Sequence, residues 1–367
     1  MEMAKPKQKY LFIARGPGEA GQAVALAKYC AKKDAKILFC FAKNINRFFL
    51  QDEKNIKTFL TPKPNDLFKL VRKEKPQTIL FFNSKMWANE LKERPKELSA
   101  IKCFGVDSNW LFNNKKYPRY PFMDWLDKYF VLFPPTIFNL GLKEKGDNFE
   151  ISKDVLRRII PVGFVPSYRS ITIPAIARIR KEFKVEKNEK FVFAYFSGYG
   201  AGHRAWALEN FVKAADLLIK KGRKIKAIYV GPTKGVKDIE NLKRDWLLFQ
   251  DKLPSGKYFL TLAGSDLVFQ HQGMVTLAQA ICARVPVIAN VSFLKDEALP
   301  KIHFWEVEPF QKAKTCVMRA KNDSPAKIAK SIDALLYNSK VIAKMKQAQK
   351  KVLTSGESAI YSYICKN

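Results

Sequence analysis

The feature that most constrains this chain is an alternation that runs once, stops and runs again. Short apolar runs rich in β-branched and aromatic residues are separated by amphipathic stretches. In the first half the runs are "YLFIAR" (10–15), "KILFCF" (36–41), "IKTFL" (56–60), "TILFF" (78–82), "KCFGV" (102–106), "KYFVLF" (128–133) and "RIIPV" (158–162). In the second half they are "FVFAYF" (191–196), "IKAIYVG" (225–231), "KYFLTL" (257–262), "LVFQH" (267–271), "PVIAN" (286–290) and "KTCVMRA" (314–320). A strand open to water on one side alternates apolar and polar residues, whereas a continuous apolar run is a strand covered on both faces. Helical stretches between such runs supply the crossovers that parallel neighbours need. The pattern predicts an α/β protein with two Rossmann-like parallel sheets.

The break falls at "PVGFVPSYRSITIP" (161–174), where prolines and a glycine interrupt the pattern. A chain of 367 residues also exceeds what one ordinary core accommodates. The expected division is a first domain over 1–165, a linker over 166–189, a second domain over 190–340, and a helical segment over 341–367 that packs back on the first domain. Two such domains would face each other across a cleft. Ligands of open parallel sheets bind outside the carboxyl ends of the strands, so the loops that follow strands carry the chemistry.

Charge narrows the partners. Lys and Arg number 66 against 34 Asp and Glu, a net charge of +32. The lysines are spread along the chain as on solvated faces, which accounts for most of the excess. The remainder suits a phosphorylated small molecule or an anionic membrane surface. A nucleic-acid partner has charge alone behind it, since neither zinc-ligand spacing nor an aromatic-rich RNA signature is present. The six cysteines form no CxxC pair, which indicates a reducing compartment. No apolar run reaches the roughly 18 residues of a membrane span. The expected location is cytoplasmic, peripheral on the inner face of a membrane.

Three loops have the composition of anion seats. "RGPGEAGQ" (15–22) spaces Gly16, Gly18 and Gly21 as GxGxxG and ends at Gln22. A dinucleotide site of that spacing wants an acid closing the second strand; here the strand runs into "FCFAKN", so a nicotinamide cofactor is excluded. "SGYGAGH" (197–203) places Gly198 and Gly200 before His203 and a long helix. "HQGMVTLAQA" (271–280) sets His271, Gln272 and Gly273 between a buried strand and a helix. Free N–H groups at that helix start, His271 and the Thr276 hydroxyl make a diphosphate seat that calls on no metal, and Gln279 lies about one turn further for a ribose diol.

The last stretch resembles the donor-binding signature of GT-B glycosyltransferases, in particular the peptidoglycan N-acetylglucosaminyltransferase and glycolipid synthase group. Their motif has the form H-G-G-x-x-T-x-x-E-A-L-x-x-G-V-P, and His271, Gly273, Thr276, Ala280, Val285 and Pro286 match it. "AGSDLVF" before it and "KDEA" (295–298) after it are similar to flanking family segments, and "GPGEAGQAVALAKYC" is similar to the family's glycine loop and first helix. The resemblance implies a nucleoside-diphosphate sugar, UDP-linked, as substrate, no cofactor, and Asp296 and Glu297 on sugar hydroxyls. The sequence departs from the family at Gln272 and Arg284 for glycines, Val275 for asparagine, Gln279 for the ribose-holding glutamate and Gln22 for a histidine that some members use as base. Inverting transfer to a hydroxyl needs one proton acceptor. With Gln22 unable to serve, Glu19 and Asp107 are the two candidates. A UDP-sugar epimerase on the same architecture, and a GT-B domain that binds nucleotide or glycan without turnover, are the alternatives.

Overall fold

The apolar runs become strands because their Val, Ile and Phe side chains pack on both faces of a sheet. The structure is a computed structural model. It describes residues 8–14, 17–33, 35–41, 56–60, 63–82, 91, 93–108, 113–114, 125–144, 149–150, 153–166, 171–196, 201–234, 236, 238–271, 273–291 and 301–366. Two units emerge: residues 1–138, 145–167 and 354–367 form the first, and residues 139–144 and 168–353 the second.

The elements up to residue 161 are β1 (Lys9–Ala14), α1 (Pro17–Ala31), β2 (Lys36–Phe41), β3 (Ile56–Leu60), α2 (Pro64–Glu74), β4 (Thr78–Phe82), β5 (Lys102–Asp107), β6 (Asn113–Asn114), β7 (Lys128–Val131), α3 (Pro135–Glu144), β8 (Phe149–Glu150), α4 (Lys153–Arg158) and β9 (Ile159–Pro161). Seven of the strands form one sheet in the order β3-β2-β1-β4-β5-β7-β9, and every pairing in it is parallel. β6 and β8 make a separate antiparallel pair. Phe12 at the centre stacks on Phe39 and Phe82, with ring centroids 6.1 and 6.2 Å away. Helix α12 (Gly356–Lys366) closes the same core: Ile360 and Ile364 are buried in it, and Tyr363 meets Phe104 and Phe130 edge-on. Its entry is tightly fitted. Gly163 has φ +97°, a Cβ there would run into Thr354, and the Gly356 N–H donates to the Phe164 carbonyl at 2.9 Å.

The second unit continues with α5 (Ile173–Glu182), β10 (Lys190–Tyr195), α6 (Ala201–Ile219), β11 (Ile225–Val230), β12 (Leu247–Gln250), α7 (Ser255–Ala263), β13 (Leu267–His271), α8 (Met274–Cys282), β14 (Val287–Val291), α9 (Lys301–Lys312), β15 (Val317–Ala320), α10 (Pro325–Tyr337) and α11 (Ser339–Val352). Its sheet runs β12-β11-β10-β13-β14-β15, again parallel throughout. Phe269, Ile288 and Ala194 share one face, which α6 and α10 cover with Phe211, Leu208, Ile332 and Leu335. Asp266 joins the amino ends of the elements. Its carboxylate accepts from the Phe191 N–H and from Arg180 of α5, whose guanidinium also reaches the Gly264 and Glu189 carbonyls.

Three expectations change. "KYFLTL" is helix α7 rather than a strand: Phe259 and Leu262 are three residues apart on a buried face, and short apolar runs do not distinguish the two periods. The strand of that region is β12, in the run just before. The expected linker 166–189 holds α5, capped by Thr172 and placed in the second unit. The expected tail segment 341–367 is split, with α11 in the second unit and α12 in the first.

Candidate functional site

In the second sheet the strand order reverses direction between β10 and β13: one neighbour continues to β11, the other to β14. At such a switch point two consecutive loops leave the carboxyl edge on opposite sides and a ligand has access to both helix starts. The chain after β10 enters α6, and the chain after β13 enters α8 within three residues.

Gly273 is the residue before α8, with φ −79° and ψ 114°, and no side chain caps the helix. The first-turn N–H groups of α8 are therefore left to a ligand or solvent. The backbone of Gly273 is ordinary, so its lack of a side chain serves space rather than conformation. A Cβ there would stand 3.7 Å from Gln270 Oε1, the His271 carbonyl oxygen and Thr276 Oγ1. Thr276 does not cap the helix. It is buried in the first turn, and its hydroxyl lies 3.0 Å from the Tyr258 hydroxyl of α7. Burial pushes the Tyr258 phenol well above its ordinary range, and the nearby Tyr195 adds to this, so Tyr258 stays protonated and holds Thr276 by a neutral bond.

Near their carboxyl ends β13 carries Gln270 and His271 and β14 carries Asn290, where the rest of each strand is apolar. Gln270 is fully buried and neither atom of its amide has a hydrogen-bond partner; the same holds for Asn290. Their side chains face opposite sides of the sheet. Gln270 pairs in register with Tyr195 and Ala289, on the side of α7 and α8. Asn290 lies between His271 and Arg319 in register, on the side of α6 and α10. His271 is only 1% exposed, and the Trp206 indole of α6 packs on it. The Trp206 Nε1 is buried without a partner as well. Buried amides normally find partners because leaving one unpaired costs about 1–3 kcal/mol. The Gln270 amide on one face of the sheet, and the Asn290 amide and Trp206 indole N–H on the other, mark places that a polar ligand or ordered water completes.

Of the residues singled out in the sequence, His271, Gly273, Thr276 and Gln279 converge on β13 and α8, with Gln279 buried in the second turn. His271 is more deeply packed than a cleft-facing side chain would be, since Trp206 covers it. Helix α1 begins at Pro17, so Gly18, Glu19, Gly21 and Gln22 are helical rather than in the preceding turn; proline's fixed φ favours the first helical position. Glu19 is half-buried in the first turn and Gln22 is buried. Asp107 closes β5 instead of lying in the loop beyond it and is 2% exposed. His203 lies in the first turn of α6. Gly16, Gly198, Gly200, Gln272, Asp296 and Glu297 lie outside the described residues. Gln270, Asn290, Trp206 and Tyr258 were not anticipated. The polar residue at the close of "LVFQH" and of "PVIAN" was the available signal for the first two. Among the described residues no group of three His, Cys, Asp or Glu is placed to hold a metal ion, and no helix is long and apolar enough to cross a membrane.

No protein-family model matches the chain, and no curated protein matches it in sequence. Its fold is found in solved structures. The Staphylococcus aureus MnaA–UDP structure superposes with a TM-score of 0.67 at 13% identity, covering 97% of this chain and 96% of that one. UDP-GlcNAc 2-epimerase from Neisseria meningitidis bound to UDP-GlcNAc gives 0.65 at 13% identity, covering 98% and 100%. MurG of Acinetobacter baumannii gives 0.60 at 12% identity, covering 99% and 100%. Sheet order, the two units and these superpositions over nearly the whole length agree: the chain has the GT-B fold shared by glycosyltransferases and UDP-GlcNAc 2-epimerases.

Proposed function

We propose that this protein is a glycosyltransferase that binds a nucleoside-diphosphate sugar, UDP-linked, at the carboxyl edge of its second sheet and passes the sugar to a hydroxyl acceptor. The observation that carries the reading is the uncapped start of α8 beside Gln270, whose buried amide has no partner in the protein. A diphosphate oxygen answers both: α8 offers N–H groups and the positive end of its dipole, and the Gln270 amide adds one donor. Trp206 and Asn290 supply a donor and an amide on the other side of the strand ends for hydroxyl groups of the ligand. In the reaction the acceptor oxygen forms a bond to the anomeric carbon while the bond from that carbon to the diphosphate breaks. The acceptor proton passes to a carboxylate, Glu19 or Asp107, and the diphosphate leaves with its charge met by the helix start. Metal and cofactor have no part in this reading.

A second reading is isomerisation of the bound sugar without transfer. It is favoured by the likeness to two structures of nucleotide or nucleotide-sugar complexes, one of them a UDP-GlcNAc 2-epimerase. One experiment separates the two. The protein is incubated with UDP-GlcNAc, with and without a hydroxyl acceptor mixture, and the nucleotide products are resolved by NMR. Acceptor-dependent release of UDP supports transfer; a new UDP-linked sugar without release of UDP supports isomerisation. Calorimetry with UDP that shows no binding would overturn both.

A further inference from the structure

Helix α11 (Ser339–Val352, SKVIAKMKQAQKKV) contains five lysines and no acid. At 100° per residue, Lys340, Lys344, Lys346, Lys350 and Lys351 fall within one arc of the helix, with Gln347 and Ala343 between them. Met345, Gln349 and Val352 are buried on the opposite arc. Gln349 fixes that face by donating to the Val285 carbonyl at 2.9 Å and the Thr315 carbonyl at 3.1 Å. All five lysines are exposed. None is in an ion pair with a described residue, whereas the acids of the neighbouring helix α10 region are already engaged, Asp333 with Arg223 and Asp323 with Lys327.

We propose that this face of α11 is a docking surface for a bilayer carrying anionic headgroups. The helix is held rigidly by its inner face, so its outer face presents a stripe about 16 Å long from Lys340 to Lys351. Like charges at i,i+4, as at Lys340 and Lys344 or Lys346 and Lys350, repel each other by a few tenths of a kcal/mol. A partner of opposite sign relieves that repulsion. A cluster of four to eight lysines on an amphipathic helix is the charge pattern that adsorbs to anionic lipid, and the attraction is lost with salt. The composition favours a membrane over a nucleic acid. The face has no arginine to grip phosphates or bases bidentately and no aromatic side chain on which a base could stack, so it offers point charges alone. The apolar face being committed to the core, contact is electrostatic adsorption rather than insertion.

The test uses the full chain and flotation with vesicles of neutral phosphatidylcholine or of phosphatidylcholine with phosphatidylglycerol. Two variants each remove five positive charges: one replaces Lys340, Lys344, Lys346, Lys350 and Lys351 by Gln, the other replaces the exposed Lys181, Lys187, Lys220, Lys221 and Lys224 by Gln. The native protein should float with the anionic vesicles at low salt and be released at high salt. The α11 variant should bind them at least tenfold more weakly, with an unchanged melting temperature, and the control variant should lose no more than two- to threefold. Equal loss in the two variants, or equal recovery with neutral and anionic vesicles, overturns the proposal. So does an α11 variant that keeps vesicle binding but loses affinity for an RNA duplex, which would assign the face to nucleic acid.

Discussion

Trp206 of α6 meets His271 at the end of β13 edge-on, with ring centroids 5.4 Å apart and ring planes at 86°. The contact ties the start of one site helix to the strand that feeds the other. It gives His271 both a packing role and a position at the switch point. Replacing His271 by Ala removes an aromatic contact worth about 0.5–1.5 kcal/mol and leaves a cavity, so the melting temperature should fall. Replacing Trp206 by Phe keeps an aromatic ring but removes the unpartnered indole N–H together with part of the fused ring, so the melting temperature should fall only modestly. If that N–H meets the ligand, the Kd for UDP-GlcNAc rises roughly fivefold, read by calorimetry.

Gln270 predicts an unusual pair of effects. Its buried amide has no partner, so Gln270→Met, close in volume and without polar atoms, should leave stability unchanged or raise it by about 1 kcal/mol in the free protein. The same change should weaken UDP binding at least tenfold. Denaturant unfolding and calorimetry on one preparation check both. A loss of stability with unchanged affinity would mean that the amide is satisfied within the fold and takes no part in the site.

The proton acceptor is assigned by two isosteric changes. Glu19→Gln and Asp107→Asn should each leave UDP affinity within twofold. One of them should lower the rate of transfer by about 100-fold or more, as expected for loss of a general base. Asp107 is buried at the end of β5, so its variant is also checked for retained melting temperature.

Three buried thiols should contribute to a loss of stability at alkaline pH. Burial pushes Cys103 up to about 12 from 9.0, and burial raises Cys30 and Cys316 further still. Their folded-state values lie above the unfolded ones, so the unfolded chain gives up these protons first. The stabilisation is complete below pH 9 and is lost as pH rises toward and beyond 12. Denaturant midpoints at pH 8, 10 and 11 should fall in that order, and Cys316→Ala should flatten the decline. In the native protein at pH 8, Ellman's reagent should label the exposed Cys365 and spare these three until the chain unfolds.

Gly163→Ala tests the entry of α12. With φ +97° and Thr354 in the way of any Cβ, the change should destabilise by about 1–3 kcal/mol. Gly273→Ala is the control, since its backbone is ordinary and its nearest neighbours are 3.7 Å from the new methyl group. Its melting temperature should be retained while UDP affinity falls, because the methyl group takes up space in front of α8.

The sequence by itself determined the two parallel sheets. Runs such as "KILFCF" and "LVFQH" are apolar throughout, and such runs are stable only when both faces are covered, which is a local property of the residues. It also determined the glycine before a helix start after a buried strand, which is a local pattern, and Gly273 stands there. Tertiary structure decided the rest. "KYFLTL" became α7 because its burial partners Tyr195 and Thr276 come from other elements, and no short window contains them. The chain leaves the second unit after Leu353 and rejoins the first at Thr354, where it meets Gly163, a residue far away in sequence. Gln270 and Asn290 read as the polar ends of two strands until register set Asn290 beside His271 and burial left both amides unpaired. Pairing across a sheet and the absence of a partner are properties of the folded chain, since each depends on which distant residues arrive.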